Sequence, residues 1–219
     1  MRTKFDKELT ALHENLIQMA SMTEGAISSS IRALKEMDES LAQKIMDNDD
    51  SIDQMEKEIE RRCLRLLLHQ QPVASDLRNV SAALKMITDL ERIGDQAADI
   101  ADITIFLCRN RNFKMPSGLS SMAAASVKMV RDAIDSFVES DLSKAQLVID
   151  YDNVVDKEFL STRDELIDAI QTSASENAQQ ILDLLMIAKY LERIGDHAVN
   201  IAEWVVFSLT GSHKDTRVI

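Results

Sequence analysis

Residues Leu90-Glu91-Arg92-Ile93-Gly94-Asp95 return unchanged as Leu191-Glu192-Arg193-Ile194-Gly195-Asp196. Glu91 and Glu192 lie 101 positions apart in a chain of 219, so each half carries one copy at the same place. Six identical consecutive residues at matching positions point to an internal duplication. The flanks extend the pattern. Glu91, Asp95, Asp99 and Asp102 step by four, four and three, and the second copy reads Glu192, Asp196, Asn200 and Glu203. On an α-helix those steps stack side chains in one column, whereas on a strand the odd step would throw the last acid to the opposite face. The block is helical.

Working outward, the rest of the chain agrees. It holds only five Gly and two Pro, aromatics make up 4%, and helix formers such as Ala, Leu, Met, Glu and Lys abound. No sustained period-two alternation and no Asn-Gly or Asp-Gly hairpin signal occurs. Apolar residues at three-to-four spacing predict six helices, at about 6–37, 39–70, 73–109, 121–139, 141–172 and 173–209. Pro72 suits the start of the third helix, and Ser173 with Glu176 has the spacing of a capping box for the sixth. Residues 110–121, with Pro116 and Gly118 among polar neighbours, make the boundary between the halves. The tail after Gly211 reads as frayed.

The halves match beyond the repeated block. Ala33-Leu34 aligns with Ser136-Phe137, Asp38 with Asp141, and Asp49-Asp50-Ser51-Ile52-Asp53 with Asp152-Asn153-Val154-Val155-Asp156, all at an offset of 103. The expected fold is therefore all-α, two tandem antiparallel three-helix bundles related by internal duplication, spanning residues 1–112 and 113–219.

Acidic residues exceed basic ones, for a net charge of −12, which disfavours direct contact with nucleic acid. No apolar stretch approaches the ~20 residues that span a bilayer, and the N-terminal residues lack the apolar run of a signal peptide. Cys63 and Cys108 form no framework and read as reduced thiols, so a cytoplasmic setting is expected.

The acidic columns are the candidate site. At ~100° per residue with Glu91 at 0°, Asp102 falls near roughly 20°, Asp95 near 40° and Asp99 near 80°, at the edge of the apolar face. A neighbouring helix there would partly desolvate them, and gathered like charges call for a counter-ion. Asp49 with Asp53, and Asp152 with Asp156, place a four-spaced acidic pair on each preceding helix. Antiparallel packing would bring these pairs opposite the columns. The predicted ligands are Asp49, Asp53, Glu91, Asp95 and Asp99 in one half, and Asp152, Asp156, Glu192, Asp196 and Asn200 in the other. An all-oxygen set suits divalent or trivalent metal ions such as magnesium, manganese, calcium, iron or zinc. Arg92 and Arg193, each three residues before an acid, offer a metal-free way to neutralise the columns. Gly94 and Gly195, each costing ~1 kcal/mol mid-helix, imply close helix approach in either case. His197 has Gln96 as its counterpart and reads as a surface or supporting residue.

The doubled block, the trailing His197-Ala198-Val199-Asn200-Ile201-Ala202-Glu203 and the Asp-x-x-x-Asp pairs resemble the PhoU family of phosphate-uptake regulators over essentially the whole chain. The resemblance implies two tandem three-helix bundles, homodimers, and metal clusters at the paired Glu/Asp-x-x-x-Asp motifs. Those motifs map to Glu91 with Asp95, Glu192 with Asp196, Asp49 with Asp53 and Asp152 with Asp156. It also implies a non-enzymatic negative regulator of phosphate uptake and the phosphate-starvation response, which contacts the ATPase of the phosphate ABC transporter and the phosphate-sensing histidine kinase. Membrane association would then be peripheral, through those partners. Two alternatives stand beside it: a carboxylate-bridged di-iron helical-bundle enzyme and a metal-free helical adaptor. The first usually needs Glu-x-x-His, and Gly94 and Gly195 occupy the places of the histidines.

Overall fold

The computed structural model describes residues 2–70, 74–109, 114–172, 177–214 and 216–217. Six helices run in order: α1 (Arg2–Glu36), α2 (Glu39–Gln70), α3 (Ala74–Cys108), α4 (Leu119–Glu139), α5 (Leu142–Thr172) and α6 (Ala178–Thr210). Pro72 and the Ser173–Glu176 pair lie outside the described residues. The fourth helix starts at Leu119, two residues before the expected point, with Gly118 at its N-cap.

The duplication is visible in the turns. Met37 and Ser140 both adopt left-handed backbone, with φ of 52° and 55°. The amide of Asp38 donates to the Ala33 carbonyl and that of Asp141 to the Ser136 carbonyl, each at 2.9 Å. Asp38 Oδ1 then accepts from the Leu41 amide, and Asp141 Oδ1 from the Lys144 amide, each at 3.0 Å. One acid thus caps the N-terminus of α2 and of α5 by satisfying an amide that has no partner within the helix.

Within each half, consecutive helices run antiparallel. Glu8 pairs with Arg62 and Asn15 contacts Met55 between α1 and α2, while Thr162 meets Met122 and Lys128 meets Tyr151 between α4 and α5. The outer helix α2 buries a narrow stripe, Ile45, Ile52, Ile59, Cys63 and Leu66. Helices α3 and α6 bury far wider arcs, because each packs on its two bundle partners and also on the other. Leu90 and Leu191 of the repeated block are both fully buried, and truncating either to Ala would cost about 2–5 kcal/mol. One apolar cluster draws side chains from all six helices, so the repeats share a core.

The α3–α6 contact is antiparallel as well: Arg78 donates to the Ser208 carbonyl near one end, and Asp102 and Asp183 line one cleft near the other. Matching α3 and α6 residues are thereby related by a pseudo-two-fold axis passing near the repeated blocks. Among the described residues of the tail, 212–214 and 216–217, a short pairing is present. Gly211, at φ 79°, ends α6, and Ser212–His213 pairs with Thr216–Arg217 as a two-residue hairpin, β1 with β2. The His213 ring stacks on Trp204 at 4.0 Å, and Lys214 bridges Glu203 at 3.0 Å, which draws the tail back onto α6. No described helix is long and apolar enough to cross a membrane.

Candidate metal centres

Gly94 and Gly195 set the distance between the second and third helices of each half. A Cβ on Gly94 would stand 2.9 Å from Ile52 Cδ1 and 3.4 Å from Asp49 Oδ1. On Gly195 it would stand 3.3 Å from Asp152 Oδ1 and 3.5 Å from Val155 Cγ1. Glycine is needed because the neighbouring helix, carrying its acidic pair, passes directly over it.

The first seam gathers acids from both sides. One oxygen of each of Asp53, Glu91 and Asp95 lies within 4.8 Å of the other two. Asp49 sits one turn away, over Gly94. Burial, followed by the charges of Asp95 and Asp53, pushes its carboxyl up to about 6. Burial also raises Glu91, with Asp95 adding to it, and raises Asp95, with Asp53 adding to it. Arg92 lies on the solvent side of the seam, with nitrogens 3.4 Å from Glu91 and 3.4 Å from Asp95. Its guanidinium opposes the rise at both acids without cancelling it. Excess negative charge persists, so the seam favours a cation.

Glu56 belongs to this seam and was not among the predicted ligands. Burial raises its carboxyl, Asp53 adds to the rise, and Thr88 donates to it at 3.3 Å. Its spacing after Asp49 and Asp53, four then three, repeats the signature of the α3 column. The signal was weak because its counterpart in the other half is Phe159, so the duplication did not point to it.

The second seam repeats the plan with fewer charges. Burial, then Asp156, Asp196 and Glu192, pushes Asp152 up to about 6, and burial with Glu192 raises Asp196. Lys189 places its ammonium 2.6 and 2.5 Å from the two oxygens of Glu192, and 5.4 Å from the centre of the Phe159 ring. The lysine, itself exposed, brings beside this seam a positive charge that has no counterpart in the first half, where Thr88 stands.

Asn200 is drawn to the α3–α6 contact, whereas the charge of Asp99 adds to the rise at Asp95 and Asp49. Asn200 donates to Asp89 Oδ1 at 3.2 Å, beside His197 Nδ1 at 2.8 Å from the same oxygen. Tyr190, on α6, has its hydroxyl raised first by burial and then by the nearby charge of Asp99. Tyr190 is the counterpart of Asp89, and Asp99 that of Asn200, so the two contacts are related by the pseudo-two-fold axis. Asn200 ties α6 to α3, while Asp99 stands near both Tyr190 and the first seam. His197 likewise supports that interface.

The donor sets fit hard cations: every first-seam group is a carboxylate, several oxygens converge, and Asp49, Glu56, Glu91 and Asp95 hold their protons abnormally tightly. These features define a duplicated helical-bundle protein with an acidic seam in each half. The PhoU domain profile matches it twice, at residues 16–104 and 119–205. The chain is 38% identical to the phosphate-specific transport system accessory protein PhoU homolog of Clostridium acetobutylicum, over 98% of both chains. It is 35% identical to the homolog of Pseudomonas aeruginosa, over 95% of this chain and 86% of the other. Among solved structures it is similar to PhoU from Pseudomonas aeruginosa, with TM-score 0.86 and 36% identity over 95% of this chain and 100% of that one. It is similar too to the phosphate transport system regulatory protein PhoU from Streptococcus pneumoniae, with TM-score 0.89 and 30% identity over 96% and 99%. The chain belongs to the PhoU family.

Proposed function

We propose that this protein is a metal-binding, non-enzymatic negative regulator of phosphate uptake and of the phosphate-starvation response, working at the cytoplasmic face of the membrane. Family membership supports the phosphate role, since the relatives it matches are named accessory or regulatory proteins of phosphate transport. The metal reading rests on one observation: Asp53, Glu91 and Asp95 converge from two helices while their neighbour Asp49 is driven up to about 6. A divalent or trivalent ion held by Asp49, Asp53, Glu56, Glu91 and Asp95, and a second by Asp152, Asp156, Glu192 and Asp196, would supply the missing positive charge. Each would tie the second helix of its half to the third.

In this reading the metal-stiffened bundles present the surface that docks the transporter ATPase and the phosphate-sensing histidine kinase, and the protein acts as a homodimer with residues 1–112 and 113–219 as its repeated units. Elemental analysis of tag-free protein tests the metal, with Glu91→Ala and Asp196→Ala each expected to lose metal while keeping full helical circular dichroism. Unchanged metal content in both variants would refute it. Affinity capture from membranes under high phosphate tests the partners, and recovery of neither transporter nor kinase would refute the regulatory assignment.

A further inference from the structure

The α1–α2 contact of the first half and the α4–α5 contact of the second carry different chemistry at matching places. At the offset of 103, Leu119 and Met122 repeat Leu16 and Met19, so the register holds here. In the first half Asn15 Nδ2 lies 3.7 Å from Met55 Sδ, Ile59 is fully buried, and Arg62 pairs with Glu8. The second-half counterparts of Asn15, Met55, Ile59 and Arg62 are Gly118, Glu158, Thr162 and Glu165. Every exchange removes bulk or brings in a side-chain oxygen. A cavity of about 240 Å³ lies there between the start of α4 and the middle of α5, lined by these four residues and by serines, among them Ser117 and Ser121. A Cβ on Gly118 would collide with Thr162 Oγ1, so glycine lets the chain pass over that hydroxyl.

The oxygens of this lining accept and do not donate. Thr162 is 1% exposed, and its hydroxyl donates to Met122 Sδ at 3.8 Å. The Ser121 hydroxyl donates to the Gly118 carbonyl at 3.0 Å, and that of Ser117 to Glu165 Oε2 at 3.2 Å. All three hydroxyl protons are therefore engaged, which leaves lone pairs. The Ser117 amide also donates to Glu165 Oε2, at 3.3 Å, so Oε1 is left for another partner. Glu165 stands at the positive end of the α4 dipole, which partly balances its charge. Glu158 has no such compensation: its Oε2 is sealed from solvent and has no hydrogen-bond partner among the described residues. A buried carboxylate oxygen without a donor is costly unless a cation meets it.

We propose that this cavity is a calcium site, in which Glu158, Glu165 and the hydroxyls of Thr162, Ser117 and Ser121 ligate one ion. Two carboxylates balance a divalent charge. Mixed carboxylate and neutral oxygens suit calcium, which accepts about six to eight ligands in flexible geometry, better than magnesium, which demands a near-ideal octahedron. The ion would fasten the start of α4, beside the junction of the halves, to α5. The site lies on the α4 side of α5, whereas Asp152 and the second seam lie on its α6 side, so it does not rest on the seam reading.

The test uses full-length, chelator-treated protein labelled with nitrogen-15 glycine, of which the chain has five. Carbon-13 carbonyl serine identifies Gly118, the one glycine that follows a serine. Calcium added at constant ionic strength should shift the Gly118 amide along a saturating curve. Gly94 and Gly195 lie under the seams, so their amides report those sites in the same spectra. Glu158→Gln should weaken the affinity read at Gly118 by roughly tenfold or more, with the Gly94 and Gly195 curves and the helical content unchanged. Thr162→Val should weaken it by a smaller factor. A Gly118 amide indifferent to calcium, a response matched by sodium, equal affinity for magnesium, or an unweakened curve in Glu158→Gln would each overturn the proposal. Movement of Gly94 and Gly195 without Gly118 would refute this site alone, and saturating movement of Gly118 would support it whatever the fate of the seams.

Discussion

Thr88 and Glu56 in the first seam occupy the places of Lys189 and Phe159 in the second, and the exchange removes one negative charge and adds one positive charge. Both halves keep the same four core acids, at Asp49, Asp53, Glu91 and Asp95 and at Asp152, Asp156, Glu192 and Asp196. The positions that could hold a cation have been retained, while the surrounding charge balance has diverged. Lys189 pairs with Glu192 at the second seam and Arg92 with Glu91 and Asp95 at the first, both from exposed positions, and only the first half has Thr88 where the lysine stands. A repeated motif therefore does not imply two equal sites. The same divergence operates at the surface between the first two helices, closed by Lys128 and Tyr151 in one half and open at Gly25 and Asn48 in the other.

The largest expected difference is in metal affinity. The first seam should bind a divalent ion more tightly than the second, and Lys189→Thr should strengthen the weaker site by roughly tenfold or more, because the ion no longer has to displace an ammonium. Calorimetric titration with manganese reads both classes of site. Two identical affinities in the unmodified protein would break the comparison.

Gly94→Val should destabilise the fold by about 1–3 kcal/mol, since the added methyls enter space held by Ile52 and Asp49. Gly195→Val should cost less, because an ideal Cβ there stands 3.3 Å from its nearest neighbour, against 2.9 Å at Gly94. Urea denaturation of the two variants compares them directly.

The bridges between α3 and α6 should also be unequal. Asp89→Ala leaves His197 and Asn200 without their acceptor and should cost about 1–3 kcal/mol, whereas Tyr190→Phe removes only a hydroxyl close to Asp99 and should cost less. Equal losses would show that the pseudo-symmetric contacts carry the same weight.

The smallest effect is on pH, and here the halves should behave alike. Asp49 and Asp152 are each raised from an ordinary 3.8 to about 6. The folded chain thus holds more protons than the unfolded one between those values, so this contribution makes metal-free protein less stable as pH rises from about 4 to about 6. Asp49→Asn and Asp152→Asn should each flatten the decline in thermal melts taken with a chelator, by similar amounts. Added divalent cation should restore stability above about pH 6, where the carboxylates are ionised and free to bind it.

Much of this was legible in the chain. The three-to-four spacing of Leu12, Leu16, Met19, Ile27 and Leu34 marked α1, and these residues are its fully buried stripe. Gly94 and Gly195 announced close helix approach before any neighbour was known. Glu56 escaped notice because its partner in the repeat is aromatic. Spacing places Asp99 and Asn200 in the columns; Asn200 is engaged by Asp89 of the other half, while Asp99 acts on the first seam and on Tyr190 alike. On the helical wheel Asp99 already stood furthest from Glu91 among the column's acids. Which way such an edge position turns depends on what packs beside it.

By itself the sequence determined what periodicity and repetition can encode: helices, their duplication, the acidic columns and the glycines beneath their partners. These are local properties, since backbone geometry fixes which side chains share a face. Only the tertiary structure decided that α3 and α6 lie against one another, which divides each column between a seam and an interface. It alone showed that Lys189 pairs with Glu192 beside one seam, and that a cavity stands open beside Gly25. Those outcomes depend on distances between residues far apart in the chain, set by how six apolar faces share one core.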